Sequence, residues 1–137
     1  MEKLSAGLIY ADILTARQAL NMYKNNTKLK DLKNICAYHI QQAVEKMIKA
    51  QIYISGFPYN DRDMYTHNIA LLIAYNEKHD ISIQIPEFIK ERSHIITKWE
   101  AGSRYDLHFS IRVDTLEKYL QVVEEWYGHI KKILSKK

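Results

Sequence analysis

The chain has 137 residues, 47% of them apolar and 26% charged, with a formal net charge of +4. That length suits one domain with a real hydrophobic core, and the composition is that of a folded chain and not a disordered one. Four glycines and two prolines favour long helices over strands and turns, and no apolar run approaches the ~20 residues of a membrane span.

Cys36 is the single cysteine, so no internal disulfide can form and a reducing cytoplasm is the default expectation. Glu2 and Lys3 precede a segment broken by Asp12 and Arg17, which does not read as a signal peptide. The modest positive charge permits an anionic partner without demanding one.

The periodicity predicts a first helix over 3–24. Leu4, Leu8, Ala11, Ala19 and Met22 share one arc, widened by Ile9, Ile13, Ala16, Leu20 and Tyr23. Asp12 sits inside that combined arc, where a carboxylate needs a cation or several donors. Two roles fit it: a structural pair with a neighbouring helix, or a carboxylate orienting a catalytic Arg or His. After a polar turn at Lys24–Lys28 comes a second helix over 29–55, stopped by Gly56 and Pro58. Cys36, Ile40, Ala43, Met47, Ala50 and Ile54 form its core seam, and His39, Gln42, Lys46, Lys49 and Tyr53 form a polar stripe directly beside it. Such a stripe borders the core instead of opposing it. It either caps the bundle edge with aliphatic stems or lines a functional groove.

Residues 57–66 form a loop rich in aromatics with Arg62, and Thr66 suits the N-cap of a third helix over 67–78. Ile81, Ile83 and Ile85 alternate like a strand but have no second strand to pair with, so an extended connector is expected. A fourth helix starts at Pro86, carries Phe88, Ile89, Ile95, Ile96 and Trp99 on one face, and ends at Gly102. Arg92 falls within that face, with Asp12 as a candidate partner. A second rich loop spans 103–113. Asp114 and Glu117 then read as a capping box for a last helix with Leu116, Leu120, Val123, Tyr127, Ile130 and Leu134 on one stripe. Its closing lysines read as a solvated tail.

There is no Gly-rich phosphate loop, no Cys cluster and no His-Glu-x-x-His pair, so metal and thiol chemistry are only weakly supported and no cofactor is implied. What remains is Arg near His in two loops, Arg62 with His67 and Arg104 with His108. Arg clamps phosphate and His transfers protons near neutral pH, which together suffice for metal-free RNA cleavage through the 2′-OH.

The segment His39-Ile-Gln-Gln-Ala-Val-Glu-Lys-Met-Ile-Lys-Ala50, with Thr66-His67-Asn68-Ile69 and Ser103-Arg104-Tyr105-Asp106, resembles the HEPN family of small prokaryotic helical proteins. The resemblance covers nearly the whole chain as a single domain over 1–137. It implies an all-α fold, an antiparallel up-and-down bundle of four long helices with a fifth, shorter one, and commonly a homodimer. Many such proteins pair with a minimal nucleotidyltransferase as toxin and antitoxin, and others are thought to bind nucleotides. Active members have four to six residues between the Arg and the His, whereas Arg104 and His108 have three between them and Ser110 stands at a position often held by Tyr.

Two readings follow from the resemblance. The first is a binding module, in which Arg104, Tyr105, His39, Gln42, Lys46, Arg62 and His67 hold RNA, a nucleotide or a nucleotidyltransferase-type partner. The second is a metal-independent endoribonuclease toxin. There Arg104 holds the scissile phosphate, His108 moves the proton, and Asp106 or Asp12 orients them. A purely structural dimer is the third.

Overall fold

The computed structural model describes residues 6–57, 61–100 and 111–135. Three long helices dominate: α1 (Ala6–Asn25), α2 (Asp31–Ile54) and α7 (Val113–Ser135), each packed against the other two. Shorter helices lie between the second and third: α3 (Asp61–Met64), α4 (Ile69–Lys78), α5 (Glu87–Glu91) and α6 (Ser93–Thr97). The described residues contain no strand.

The seam expected on α2 is its core face, with Cys36, Ile40, Ala43 and Met47 fully buried. Burial extends well beyond it, to Ala37, Val44, Ile48 and Ile52, because α1, α4, α6 and α7 all pack against this helix. Gly56, at φ 79°, ends it in a backbone conformation that suits glycine. Cys36 lies in this interior, where burial pushes its thiol up to about 12, so it is an inert core group.

On α1 the two expected arcs separate. Ile9, Ile13, Ala16, Ala19 and Leu20 are buried, whereas Leu8, Ala11 and Met22 face outward. The expected single apolar face was too wide for one packing contact, and α2 and α7 together cover only its Ile9–Ile13–Leu20 side. Leu4 lies outside the described residues.

Helix α4 starts at Ile69 and not at His67. Asn68 is its N-cap, accepting from the Leu71 N–H at 3.1 Å, and Thr66 instead accepts from the Asn68 N–H in a tight turn. The helix closes in a Schellman motif: the Ile81 N–H donates to Asn76 and the Asp80 N–H to Glu77, with Asp80 in the left-handed region at φ 54°.

The Ile81–Ile85 segment is an extended connector, as its lack of a partner strand suggested. Gln51 of α2 stands in for a neighbouring strand, donating to the Gln84 carbonyl and accepting from the Gln84 N–H, both at 2.9 Å. Trp126 of α7 donates to the same carbonyl.

The fourth helix is interrupted at Arg92 (φ −114°, ψ 18°). Its guanidinium donates to the Phe88 carbonyl at 3.2 Å and lies 3.8 Å from the Phe88 ring centroid. The carbonyl four residues back is thereby occupied, and the Arg92 N–H donates to Ile89 in a tighter turn. Arg92 therefore pairs within its own segment and not with Asp12. Ile95 is exposed, and Ile89, Ile96 and Trp99 carry the buried face.

At the start of α7, Asp114 sits inside the first turn instead of capping it, and Glu117 turns away to Arg17. Arg17 makes a fork to both Glu117 oxygens at 2.8 Å and a second to Glu124 at 2.9 Å, which locks α1 to α7. The Arg17 guanidinium of the adjacent α1 thus holds the carboxylate that a local backbone cap would have used.

Candidate functional site

At about 100° per residue, the polar stripe of α2 unrolls as an arc of roughly 160° from His39 through Lys46, Tyr53, Gln42, Lys49 and Glu45 to Gln41. Asp12 of α1 meets one margin of this arc and His67, just before α4, meets the other.

At the first margin, Asp12 is only 8% exposed. One oxygen accepts from His39 Nδ1 at 2.8 Å and the other from Lys46 Nζ at 2.6 Å. Burial pushes the Asp12 pKa up, but the hydrogen bonds and charges of His39 and Lys46 outweigh it and hold the carboxyl below its ordinary value. At the second margin, Glu45 is 6% exposed and accepts from His67 Nδ1, from Lys49 Nζ at 2.8 Å and from Gln41 Nε2 at 2.9 Å. Gln41 also donates to the His67 carbonyl, and Gln42 donates to Gln41 at 2.7 Å.

The chemistry of this arrangement follows from its donors. An ionised carboxylate only accepts, so both imidazoles carry a proton on Nδ1, which leaves Nε2 as the second functional atom. Each lysine spends one ammonium donor on a carboxylate and retains two more. His39 is 27% exposed and His67 60% exposed at the side chain, within reach of a ligand. The supporting backbone is well held: the Ile69 N–H donates to Thr97 of α6 at 2.9 Å, fixing the turn that carries His67.

Of the residues singled out from sequence, Asp12, His39 and Lys46 come together in one hydrogen-bonded cluster, and Gln42 and His67 in a second around Gln41 and Glu45. Arg62 lies on α3 and lines a different cleft, which shares no side chain with the arc. Arg104, Tyr105, Asp106 and His108 lie outside the described residues. Glu45 and Gln41, which stand in the sequence only within the His39–Ala50 segment, complete the second margin. The signal was present in the Gln41–Glu45–Lys49 spacing of four, which stacks one carboxylate between an amide and an ammonium.

Among the described residues no helix is long and apolar enough to cross a membrane, and no group of three His, Cys, Asp or Glu side chains could hold a metal ion. No curated protein matches the chain, and no solved structure does. The family model for the HEPN domain matches residues 12–134, from Asp12 at the first margin of the arc almost to the end of α7. The match takes in both margins and every helix that frames them, and the chain belongs to the HEPN domain family.

Proposed function

We propose that this HEPN-domain chain is a nucleotide- or RNA-binding module whose contact surface is the polar arc of α2. The observation that carries this reading is the pairing of two carboxylate-oriented imidazoles with two lysines on a helix buried along its other faces. Phosphate oxygens accept from the remaining ammonium donors, and the imidazoles add directional contacts. Gln42, between the margins, offers an amide to a base or ribose. Family precedent extends the reading: α5 and α6 act as the fourth member of an up-and-down bundle, the active unit is a homodimer, and a nucleotidyltransferase-type protein is the partner.

A second reading rests on the family resemblance alone: metal-independent RNA cleavage in which Arg104 holds the scissile phosphate, His108 moves the proton, and Asp106 or Asp12 orients them. One experiment addresses both. A short fluorescent single-stranded RNA is titrated with protein in EDTA across a salt series, then run on a denaturing gel. Binding should weaken with salt, and Lys46→Ala and Lys49→Ala should each weaken it several-fold and reduce the salt slope by about 0.7. Unchanged affinity and slope in both variants would overturn the binding reading. Intact RNA after prolonged incubation with the wild type would dispose of cleavage.

A further inference from the structure

The extended connector over 81–85 is held by both α2 and α7, yet its backbone is only half used. Gln84 spends its N–H and C=O on the Gln51 amide, and the C=O also accepts from Trp126, all at 2.9 Å. In an extended chain, successive residues turn these groups to opposite sides. Ile83 and Ile85 therefore direct theirs away from Gln51, and neither residue's N–H or C=O has a partner among the described residues. Their side chains pack against the core, which fixes the rotation of the segment. The connector thus presents a short open strand edge, with an unused donor and acceptor on each of these two residues. Pro86, which has no N–H, closes it.

Beside the connector runs a groove of about 480 Å³, with Ile83, Ile85 and Pro86 on one wall and Val122, Glu125 and Trp126 of α7 on the other. Its size is that of a ligand-binding cleft. Although the chain carries a net charge of +4, no lysine or arginine lines this groove, and Glu125 is its single carboxylate. Glu125 is exposed, and its carboxylate has no partner among the described residues. An open strand edge takes up an extended backbone, since that occupant supplies donors and acceptors at the same two-residue spacing. The walls add selection: apolar side chains suit the isoleucines, Pro86 and Val122, and a basic one suits Glu125.

We propose that this edge and groove dock an extended peptide segment of another protein. Its backbone pairs with Ile83 and Ile85, and an arginine or lysine flanked at alternate positions by apolar residues meets Glu125. The site stands whether or not the α2 arc binds RNA, because the two share no side chain.

The probe is the blocked peptide acetyl-Thr-Val-Thr-Arg-Thr-Val-Thr-amide, titrated into the full isotope-labelled chain and followed by NMR. The Ile83 and Ile85 amides and the Trp126 indole should shift. Hydrogen exchange at those two amides should slow by about ten-fold or more, while that of Gln84, already bonded, stays as it was. Glu125→Lys should weaken the peptide about five-fold, the scale of one exposed ion pair, and a peptide with glutamate in place of arginine should recover the loss. Glu125 is exposed on α7, and an unchanged melting curve will show that the variant folds. N-methylation of alternate peptide amides should abolish binding in one set and spare it in the other. The proposal is overturned if the wild type does not bind the peptide, if exchange at Ile83 and Ile85 is unaltered, if Glu125→Lys binds normally, or if N-methylation is tolerated in both sets. Shifts of the same amides on raising the protein concentration alone would assign the edge to a second copy, and shifts with a short single-stranded RNA would assign it to nucleic acid. Either result also overturns it.

Discussion

Asp12 shows how one buried carboxylate organises its surroundings. It is ionised, nearly enclosed, and bonded to His39 on one side and Lys46 on the other. Removing it leaves an ammonium and an imidazole at a protein margin without their acceptor, a costly outcome because the remaining charge is poorly solvated. Asp12→Ala should therefore lower the stability by about 3–5 kcal/mol, read as a fall in the urea midpoint at unchanged m-value. Asp12→Asn, which keeps an acceptor for one partner, should cost less. A midpoint for Asp12→Ala within error of wild type would show that the network has no role in stability. The sequence showed that Asp12 needs a pair on a neighbouring helix, and Lys46 of α2 supplies it, whereas Arg92, the one residue named as a candidate, is held by Phe88 and Glu91.

At the level of the elements, the contact between α1 and α7 depends on Arg17 and its two glutamates. Hydrogen bonds from Arg17 are the main cause that brings Glu117 down to about 2 from an ordinary 4.5, with Lys24 and Gln121 adding to the effect against partial burial. A carboxylate depressed in the folded state stabilises fully above its unfolded pKa, and that contribution disappears as pH falls through the folded one. The clamp's contribution is thus complete above about pH 4.5 and lost between 4.5 and 2. Asp12 shifts in the same direction and adds to the same acid limb. Glu117→Gln should flatten the limb, so that the difference in urea midpoint between wild type and variant is largest near neutral pH and shrinks by pH 2.5. A difference that stays constant across this range would refute the linkage. The helix starts illustrate the limits of local reading: Thr66 and Asp114 both carry good capping chemistry, yet Asn68 caps α4 and Asp114 lies within α7. A capping signal marks a helix start to within a residue or two, and neighbouring elements decide the rest.

For the molecule as a whole, the outer face of α1 stands out. Leu8, Tyr10, Leu14 and Met22 are each at least 40% exposed, and no exposed residue between Ala6 and Tyr23 is charged. These apolar side chains share their face with the uncharged Gln18 and Asn21, and we propose that it is covered by a second copy of the chain, the partner that the family precedent suggests. The chain should therefore run as a homodimer in light scattering coupled to size exclusion, and Leu14→Glu should shift it to monomer without unfolding it. A wild type that is monomeric at high micromolar concentration would rule this out.

The sequence by itself determined that the chain is helical, that α2 is its spine, and that a polar stripe borders that helix's core seam. These are properties of spacing along one helix, where about 100° per residue sets which side chains are neighbours. The tertiary structure decided which partners the stripe meets. The bonds from Asp12 to His39 and Lys46, from Glu45 to His67, and from Arg17 to Glu117 and Glu124 join elements up to 107 residues apart in the chain. Each depends on how two helices are rotated about their own axes. That rotation is settled by the packing of all the apolar faces together, and no single segment encodes it.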